Sequence, residues 1–294
     1  MTADLVGRTY VITGANTGVG RATAEALAAR GARLLLACRS LERAREVEGA
    51  ARALGGEVHL VELDLADLAS VRRGAQSIAR LTPRIDALIN NAGVAGARGL
   101  TKDGFELAFG VNCLGHFLLT QLLRPHVQRV VHLGSGSHAR VEALELDSLR
   151  APTRTLTGVR EYAVSKLCVM LLHHELARRS TTPISVVADP GDVASDAWRH
   201  VPWPIRPLLT RSMKPPREGA LTSLFCATDP TIEGLHGCSF VDCREDTPSA
   251  LSRDAALAAA LWARCADWTA ATMIGAVTGA AVPTPAPPPR AASS

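Results

Sequence analysis

The sequence predicts one doubly wound α/β domain, in which a mostly parallel sheet of seven strands carries helices on both faces. Short apolar runs alternate with helix-length segments along most of the 294 residues. A glycine-rich turn joins the first apolar run to the first helical segment. Hydrophobic residues make up 47% of the chain and charged residues 20%, which suits a single large core. Such alternation requires βαβ crossovers, and these place the strands parallel.

Apolar runs define the predicted strands, and longer amphipathic segments define the predicted helices. Strands are expected at 9–12, 33–38, 58–63, 87–90, 129–133, 184–188 and 238–241. Helices are expected at 21–30, 41–54, 68–81, 103–123, 159–179, 217–228 and 249–268. We therefore assign residues 1–270 to the folded α/β domain, and the Ala/Pro-rich segment 271–294 to a disordered tail.

Segment 194–216 is predicted to be a substrate lid. It contains five prolines and two tryptophans, Trp198 and Trp203. The alternatives for the same residues are simple packing, or a contact with a membrane interface, where tryptophan is favoured.

Composition excludes several classes of function. The net charge is only +4 and the arginines are scattered, so no nucleic-acid partner is expected. The seven cysteines include no Cys-x-x-Cys pair, which favours a reduced, intracellular protein over a disulfide framework. No apolar run approaches the length of a membrane span and the N-terminus has no apolar signal segment, so we expect a cytoplasmic protein without an integral membrane segment.

The turn after the first predicted strand carries glycines at positions 14, 18 and 20. Glycines at a strand-to-helix turn let a phosphate approach backbone N–H groups at the helix N-terminus. The spacing is Gly-x-x-x-Gly-x-Gly, and Arg21 and Ala22 follow where a P-loop would have Lys and Ser or Thr. The turn is therefore predicted to bind the pyrophosphate of a dinucleotide.

The end of the second strand indicates which dinucleotide is preferred. Arg39 and Ser40 stand where a carboxylate would bind the ribose 2′-hydroxyl of NAD(H). A guanidinium suits a 2′-phosphate, so NADP(H) is favoured. NAD(H) stays open if Arg39 is only a solvated charge at the end of the strand.

Tyr162 and Lys166 are four residues apart on a predicted helix, and so lie on one face of it. We expect the lysine charge to lower the pKa of the tyrosine towards neutrality, which would fit the tyrosine for proton transfer. Taken alone, the pair is a weak signal.

As a set, three motifs resemble the short-chain dehydrogenase/reductases: Thr13-Gly14-x-x-x-Gly18-x-Gly20, Asn90-Asn91-Ala92-Gly93 and Tyr162-x-x-x-Lys166. Segments 37–40, 111–117 and 200–202 resemble the retinol dehydrogenase branch, many members of which carry an N-terminal membrane anchor. The resemblance implies a Rossmann-type fold and an NADP(H)-dependent enzyme acting on CH–OH donors. The substrate would be an apolar aldehyde, ketone or alcohol, and a homodimer is compatible with the resemblance.

The resemblance also implies roles for individual residues. In catalysis, Tyr162 would exchange the proton, Ser135 would polarise the carbonyl, Lys166 would tune the tyrosine, and the Asn112 carbonyl would hold a relay water. Lys166 would also reach the nicotinamide ribose. The implied cofactor-binding residues are Gly14, Asn16, Thr17, Gly18, Val19, Gly20, Arg39, Ser40, Asp64, Leu65, Asn91, Ala92, Gly93, Tyr162, Lys166, Pro190, Gly191 and Val193.

The serine departs from the usual family pattern, because it lies in the run Gly134-Ser135-Gly136-Ser137. Ser135 is favoured by its distance from the end of the fifth strand, and Ser137 is the competitor. His132 and His138 are expected to be polar residues of a strand and a loop, and no metal site is predicted. The alternative functions are a catalytically silent NADP(H)-binding sensor or scaffold, and a C=C reductase on the same fold.

Overall fold

The computed structural model describes residues 3–194, 211 and 213–277, with side chains up to residue 270. Nearly all of the predicted lid at 194–216 lies outside the described residues, and so does most of the predicted tail. The remainder forms one α/β domain.

One eight-stranded sheet runs through the molecule in the order β3-β2-β1-β4-β5-β6-β7-β8. The strands are β1 Thr9–Thr13, β2 Arg33–Cys38, β3 Glu57–Glu62, β4 Ala87–Asn90, β5 Arg129–Leu133, β6 Ile184–Asp189, β7 Ser239–Val241 and β8 Arg244–Asp246. Neighbouring strands are parallel from β3 through β7, and only β8 is antiparallel. The strand order reverses between β1 and β4, the point at which doubly wound folds bind ligands.

Seven helices flank the sheet within the described residues. They are α1 Gly18–Ala28, α2 Leu41–Ala53, α3 Leu68–Leu81, the composite α4 described below, α5 Val159–Arg179, α6 Pro216–Thr228 and α7 Ala255–Val277. One buried core lies between the sheet and α3, α4, α5 and α7, and the other lies between the sheet and α1, α2 and α6. Both faces of the sheet are therefore covered, which explains why its central strands are almost entirely buried.

Helix α4 differs most from the prediction. It begins at Leu107 instead of residue 103 and has three parts: α-helical Leu107–Phe109, a π-helical turn at Gly110–Leu114, and α-helical Gly115–Leu123. Periodicity alone does not distinguish a π-turn inside an α-helix, because the turn adds one residue without interrupting the apolar face.

Two more differences lie at the C-terminal end. β8 adds an eighth strand to the predicted seven, as an exposed hairpin partner of β7. Helix α7 starts at Ala255 instead of residue 249, and continues to Val277, beyond the expected domain boundary at residue 270.

Helix α7 packs on the outer faces of α4 and α5. The Trp262 ring meets Phe117 of α4 edge-on at 5.0 Å, and the Arg179 guanidinium of α5 stacks over the same indole at 5.1 Å. Part of the outer surface of these two helices is therefore covered by the chain itself. The homodimer stays a prediction. Among the described helices, none combines the length and the apolarity needed to cross a membrane.

Candidate active site

A cleft opens at the carboxyl ends of the parallel strands, where the strand order reverses. It has about 1390 Å³ of empty space, its open mouth included. Every predicted catalytic and cofactor-binding residue lines this cleft except Asn112. The cleft also contains residues that were not predicted as site residues: Ala37, Arg43, Leu63, Val94, Val111, Leu133, Gly134 and Asp192.

The loop after β1 needs its glycines for steric reasons. Gly14 has φ +64°, and a Cβ on it would lie 2.8 Å from both Cα and Cβ of Ala92. A Cβ on Gly20 would lie 2.3 Å from Nδ2 of Asn91. The loop is therefore packed against the segment after β4, and the N-terminus of α1 is directed into the cleft.

Asn91 and Thr13 hold these two segments together. Asn91 Nδ2 donates to the Thr13 carbonyl at 2.7 Å and to the Gly14 carbonyl at 3.3 Å. The Thr13 hydroxyl oxygen accepts from the backbone N–H groups of Asn91 and Ala92, both at 3.0 Å. The Asn91 side chain therefore braces the glycine loop from behind, a role that the sequence analysis did not assign to it.

Two arginines line the cleft next to the end of β2. Arg39 lies exposed at the end of β2, and Ser40 caps α2 by accepting from the Arg43 backbone N–H at 3.3 Å. The cap turns the first turn of α2 toward the cleft and brings Arg43 into its lining. Arg43 could have been found from the sequence, because it is in the first turn of a helix that starts at the end of a cofactor-binding strand.

Arg21 does not line the cleft. Its guanidinium bonds to Glu25 at 2.8 Å and to Glu46 at 2.7 Å. The charge of Arg21, which directly follows the glycine loop, is therefore paired with two carboxylates, one on α1 and one on α2.

Ser135 and Ser137 have separate positions. Ser135 lines the cleft and forms a hydrogen bond with the Tyr162 hydroxyl, whereas Ser137 is outside the cleft lining. The Ser137 hydroxyl donates to Ser135 Oγ at 3.0 Å, and its backbone N–H donates to the same atom at 3.3 Å. Ser137 thus supports Ser135 from behind, and the Ser135 proton stays directed to Tyr162.

Tyr162 and Lys166 lie together as predicted, but the pKa of Tyr162 shifts the opposite way. The Lys166 ammonium is 5.7 Å from the centre of the Tyr162 ring. The pKa of Tyr162 is raised to about 12, chiefly by burial, with smaller contributions from Asp189 and Asp192, while the hydrogen bond from Ser135 lowers it. The expected lowering by lysine was therefore wrong for the protein alone, because desolvation outweighs it.

Lys166 is held inside the protein. Its ammonium donates to the Leu133 carbonyl at the end of β5, at 2.7 Å. Burial lowers the pKa of Lys166 to about 8, and Asp189 opposes that shift. The ammonium is therefore anchored between β5 and the cleft.

Asn112 lies behind the cleft, inside the π-helical turn. Its Nδ2 donates to the Val94 carbonyl at 3.0 Å and to Ser165 Oγ at 2.9 Å, and its Oδ1 accepts from the Val94 N–H at 2.8 Å. Its own carbonyl accepts a hydrogen bond from His116 Nδ1 at 3.0 Å. The side chain ties α4 to α5 and to the segment after β4, while the relay water stays a prediction.

Comparisons with known proteins agree with this geometry. Residues 8–202 match the family described as short chain dehydrogenase. The chain is 42% identical over 275 residues to Dehydrogenase/reductase SDR family member 13 of Bos taurus, covering 88% of this chain and 72% of that protein. It is 39% identical over 284 residues to Retinol dehydrogenase 14 of Mus musculus, covering 87% and 84%. A solved structure of an uncharacterized Mycobacterium Paratuberculosis protein superposes with a TM-score of 0.73 at 35% identity, over 92% of this chain and 97% of the other.

Proposed function

This chain belongs to the short-chain dehydrogenase family, in its retinol dehydrogenase-like branch, and on that premise we propose that it is an NADP(H)-dependent oxidoreductase interconverting a carbonyl and an alcohol on an apolar substrate. One observation carries the proposal: Ser135, Tyr162 and Lys166 meet at one end of the cleft whose other end is the glycine loop.

The cleft suits a dinucleotide. At Gly14 and Gly20 a Cβ would collide with the segment after β4, so the glycines allow a close backbone turn beside the N-terminus of α1. Arg39 and Arg43 supply positive charge at the end of β2, which favours the 2′-phosphate of NADP(H) over the bare hydroxyl of NAD(H). When bound, the nicotinamide supplies or accepts the hydride.

In the reductive direction Tyr162 acts as the acid. Its raised pKa keeps the phenol protonated at neutral pH, so it can donate the proton to the oxygen of a reacting carbonyl. Ser135 donates a second hydrogen bond to that oxygen, where negative charge develops. Lys166 adds a positive charge beside the ring and stabilises the phenolate that proton transfer leaves behind. These protonation states favour carbonyl reduction over alcohol oxidation near neutral pH.

The substrate class follows from the site and the relatives. Val94, Val111 and Leu133 are apolar members of the cleft lining, and one relative bears the name Retinol dehydrogenase 14. We therefore infer an apolar aldehyde or ketone, with all-trans-retinal as a suitable probe.

The test of the reaction is NADPH oxidation over a panel of aliphatic, aromatic and retinoid aldehydes and ketones. Tyr162→Phe removes the acid and is expected to lower kcat/KM about 100-fold to 10,000-fold. Tyr10→Phe is the matched control, because Tyr10 is buried within β1. This substitution should leave kcat/KM within about twofold of wild type. Equal activity of Tyr162→Phe and wild type would refute the mechanism.

The same panel separates the alternatives. Tight NADPH binding without turnover of any compound would favour a sensor or scaffold. Adding enones and identifying the product would detect a C=C reductase, because a saturated ketone would replace the allylic alcohol.

Cofactor preference is tested by Arg39→Ala and Arg43→Ala. Loss of one guanidinium–phosphate pair costs about 1.5–3 kcal/mol, so KM for NADPH should rise about 10-fold to 100-fold while KM for NADH changes little. Arg45→Ala, an exposed change on α2 outside the cleft, is the control. Equal effects on both cofactors would contradict the assignment to a 2′-phosphate.

A further inference from the structure

His138 is a buried side chain that lies beside the proposed catalytic serine. The mechanism above gives His138 no role. It lies three residues after Ser135, is only 7% exposed and does not line the cleft. Its Nδ1 is 2.8 Å from the Ser135 carbonyl oxygen, and its Nε2 is 3.3 Å from the Ser249 backbone nitrogen.

These two contacts define the tautomer of His138. A carbonyl oxygen only accepts hydrogen bonds, so Nδ1 must carry the proton that it donates to Ser135. A backbone N–H only donates, so Nε2 must present its lone pair to Ser249. The ring therefore donates from Nδ1 and accepts at Nε2, and it connects the serine loop with the segment that leads into α7.

The serine loop depends on such connections, because its glycines do not hold it equally. A Cβ on Gly134 would lie 2.6 Å from Val187, so this glycine is packed tightly against β6. A Cβ on Gly136 would find its nearest neighbour, Asp189 Oδ2, at 3.9 Å, so no atom packs closely against this side of the backbone directly after Ser135.

Hydrogen bonds from His138 supply the missing restraint. The Ser135 carbonyl accepts from both the His138 backbone N–H, at 3.1 Å, and His138 Nδ1. Both bonds close the turn over Gly136 and orient the peptide group that follows Ser135. The Ser135 backbone has φ −171°, an extended conformation that sends its hydroxyl toward Tyr162.

We propose that His138 is a positioning residue, which orients the Ser135 hydroxyl for the reaction through its Nδ1–H bond to the Ser135 carbonyl. The proposal rests on the proposed function, because it assigns the support of that reaction's serine. The proposal gives the two ring nitrogens different roles: Nδ1 is required for positioning, and Nε2 only attaches the loop to Ser249.

Two variants test this separation. In His138→Asn the amide nitrogen is as many bonds from Cα as Nδ1 and can donate to the Ser135 carbonyl. In His138→Gln the amide is as far out as Nε2, reaching Ser249 but not Ser135. We expect kcat of the Asn variant to stay within about threefold of wild type. We expect kcat of the Gln variant to fall about 10-fold to 100-fold, which corresponds to the loss of about one hydrogen bond to the transition state or more. KM for NADPH should be unchanged in both.

Crystal structures of wild type and both variants supply a readout that does not need turnover. Ser135 Oγ should remain within hydrogen-bond distance of Tyr162 Oη in wild type and His138→Asn, and should move out of it in His138→Gln. Equal loss of activity in both variants, or an unmoved serine in His138→Gln, would overturn the positioning role. If wild type reduces nothing in the carbonyl panel, the proposed function fails, while the Ser135–Tyr162 distances still decide the role of His138.

Discussion

Two loops at the same edge of the sheet carry glycines, and they are held in different ways. The loop after β1, residues 14–20, is shaped by steric necessity, since added Cβ atoms at Gly14 and Gly20 would collide with the segment after β4. The loop after β5, residues 134–138, has one tightly packed glycine and one loosely packed glycine, and side-chain hydrogen bonds from Ser137 and His138 complete it.

The difference matches the role that we propose for each loop. The first must let a backbone approach a phosphate, which glycine achieves without help from other side chains. The second must orient a single hydroxyl, and the orientation of a hydroxyl is determined by its hydrogen-bond partners. Substitution of glycine should therefore damage the first loop most, and loss of polar partners should damage the second.

The largest expected effect on cofactor binding comes from Gly14→Ala. The left-handed conformation costs a non-glycine residue about 1–2 kcal/mol, and the contact with the Ala92 backbone adds to it. We expect NADPH affinity to fall about 100-fold, measured by fluorescence titration. Gly136→Ala is the matched change in the other loop and should alter affinity and Tm little. Similar losses in both variants would show that the two loops do not differ in this way.

Acid should lower the free energy of unfolding, because several histidines, one of them next to the second loop, are buried. His132 lies on β5 directly before that loop, and burial lowers its pKa to about 3. Burial also lowers the pKa of His116 to about 4 and that of His173 well below its usual value. Their folded pKa values lie below the unfolded value of about 6.5, so the stabilisation is complete above that pH and is lost as pH falls.

Three such groups can make the free energy of unfolding fall by up to about 4 kcal/mol per pH unit below about pH 6.5. Urea unfolding at several values between pH 6.5 and 5 measures the slope. His132→Gln should reduce it by about 1.4 kcal/mol per pH unit, because one proton fewer is taken up.

A smaller effect is expected from Asp189→Asn, at the end of β6. Asp189 raises the pKa of Tyr162, so its neutralisation should lower that pKa. Alcohol oxidation requires the phenolate, and its rise with pH should move to lower pH by about one unit or less. The kcat/KM profile for oxidation between pH 7 and 11 measures the shift, with the exposed Asp192→Asn expected to shift it less. An unmoved profile would exclude Asp189 as a regulator of the tyrosine.

The smallest effect is expected from Ser137→Ala. The variant loses the hydroxyl that donates to Ser135 Oγ but keeps the backbone donor. One such bond contributes about 1 kcal/mol, so kcat should fall about fivefold, compared with about 100-fold or more for Ser135→Ala. If Ser137→Ala were the more damaging change, the assignment of Ser135 as the polarising serine would be reversed.

Much of the fold could be predicted from local pattern. The bounds of β2, β4, β5, α3 and α5 agree with the sequence analysis, because apolar periodicity and capping residues define them. The parallel sheet, its order reversal and the cleft follow from the βαβ alternation. β8 and the π-helical turn in α4 could not be predicted, since a short exposed hairpin strand and one extra residue in a helix leave no periodic signal.

The sequence by itself determined the inventory of the site: a glycine turn after β1, arginine after β2, and a tyrosine and lysine one helical turn apart. These residues meet because the carboxyl ends of parallel strands lie at one edge of the sheet. Tertiary structure decided everything that depends on burial or on distant partners. Desolvation raised the pKa of Tyr162 instead of lowering it, Glu25 and Glu46 paired with Arg21, and His138 was brought against the Ser135 carbonyl. Solvent exclusion and long-range hydrogen bonds arise only when the elements pack, so no local pattern encodes them.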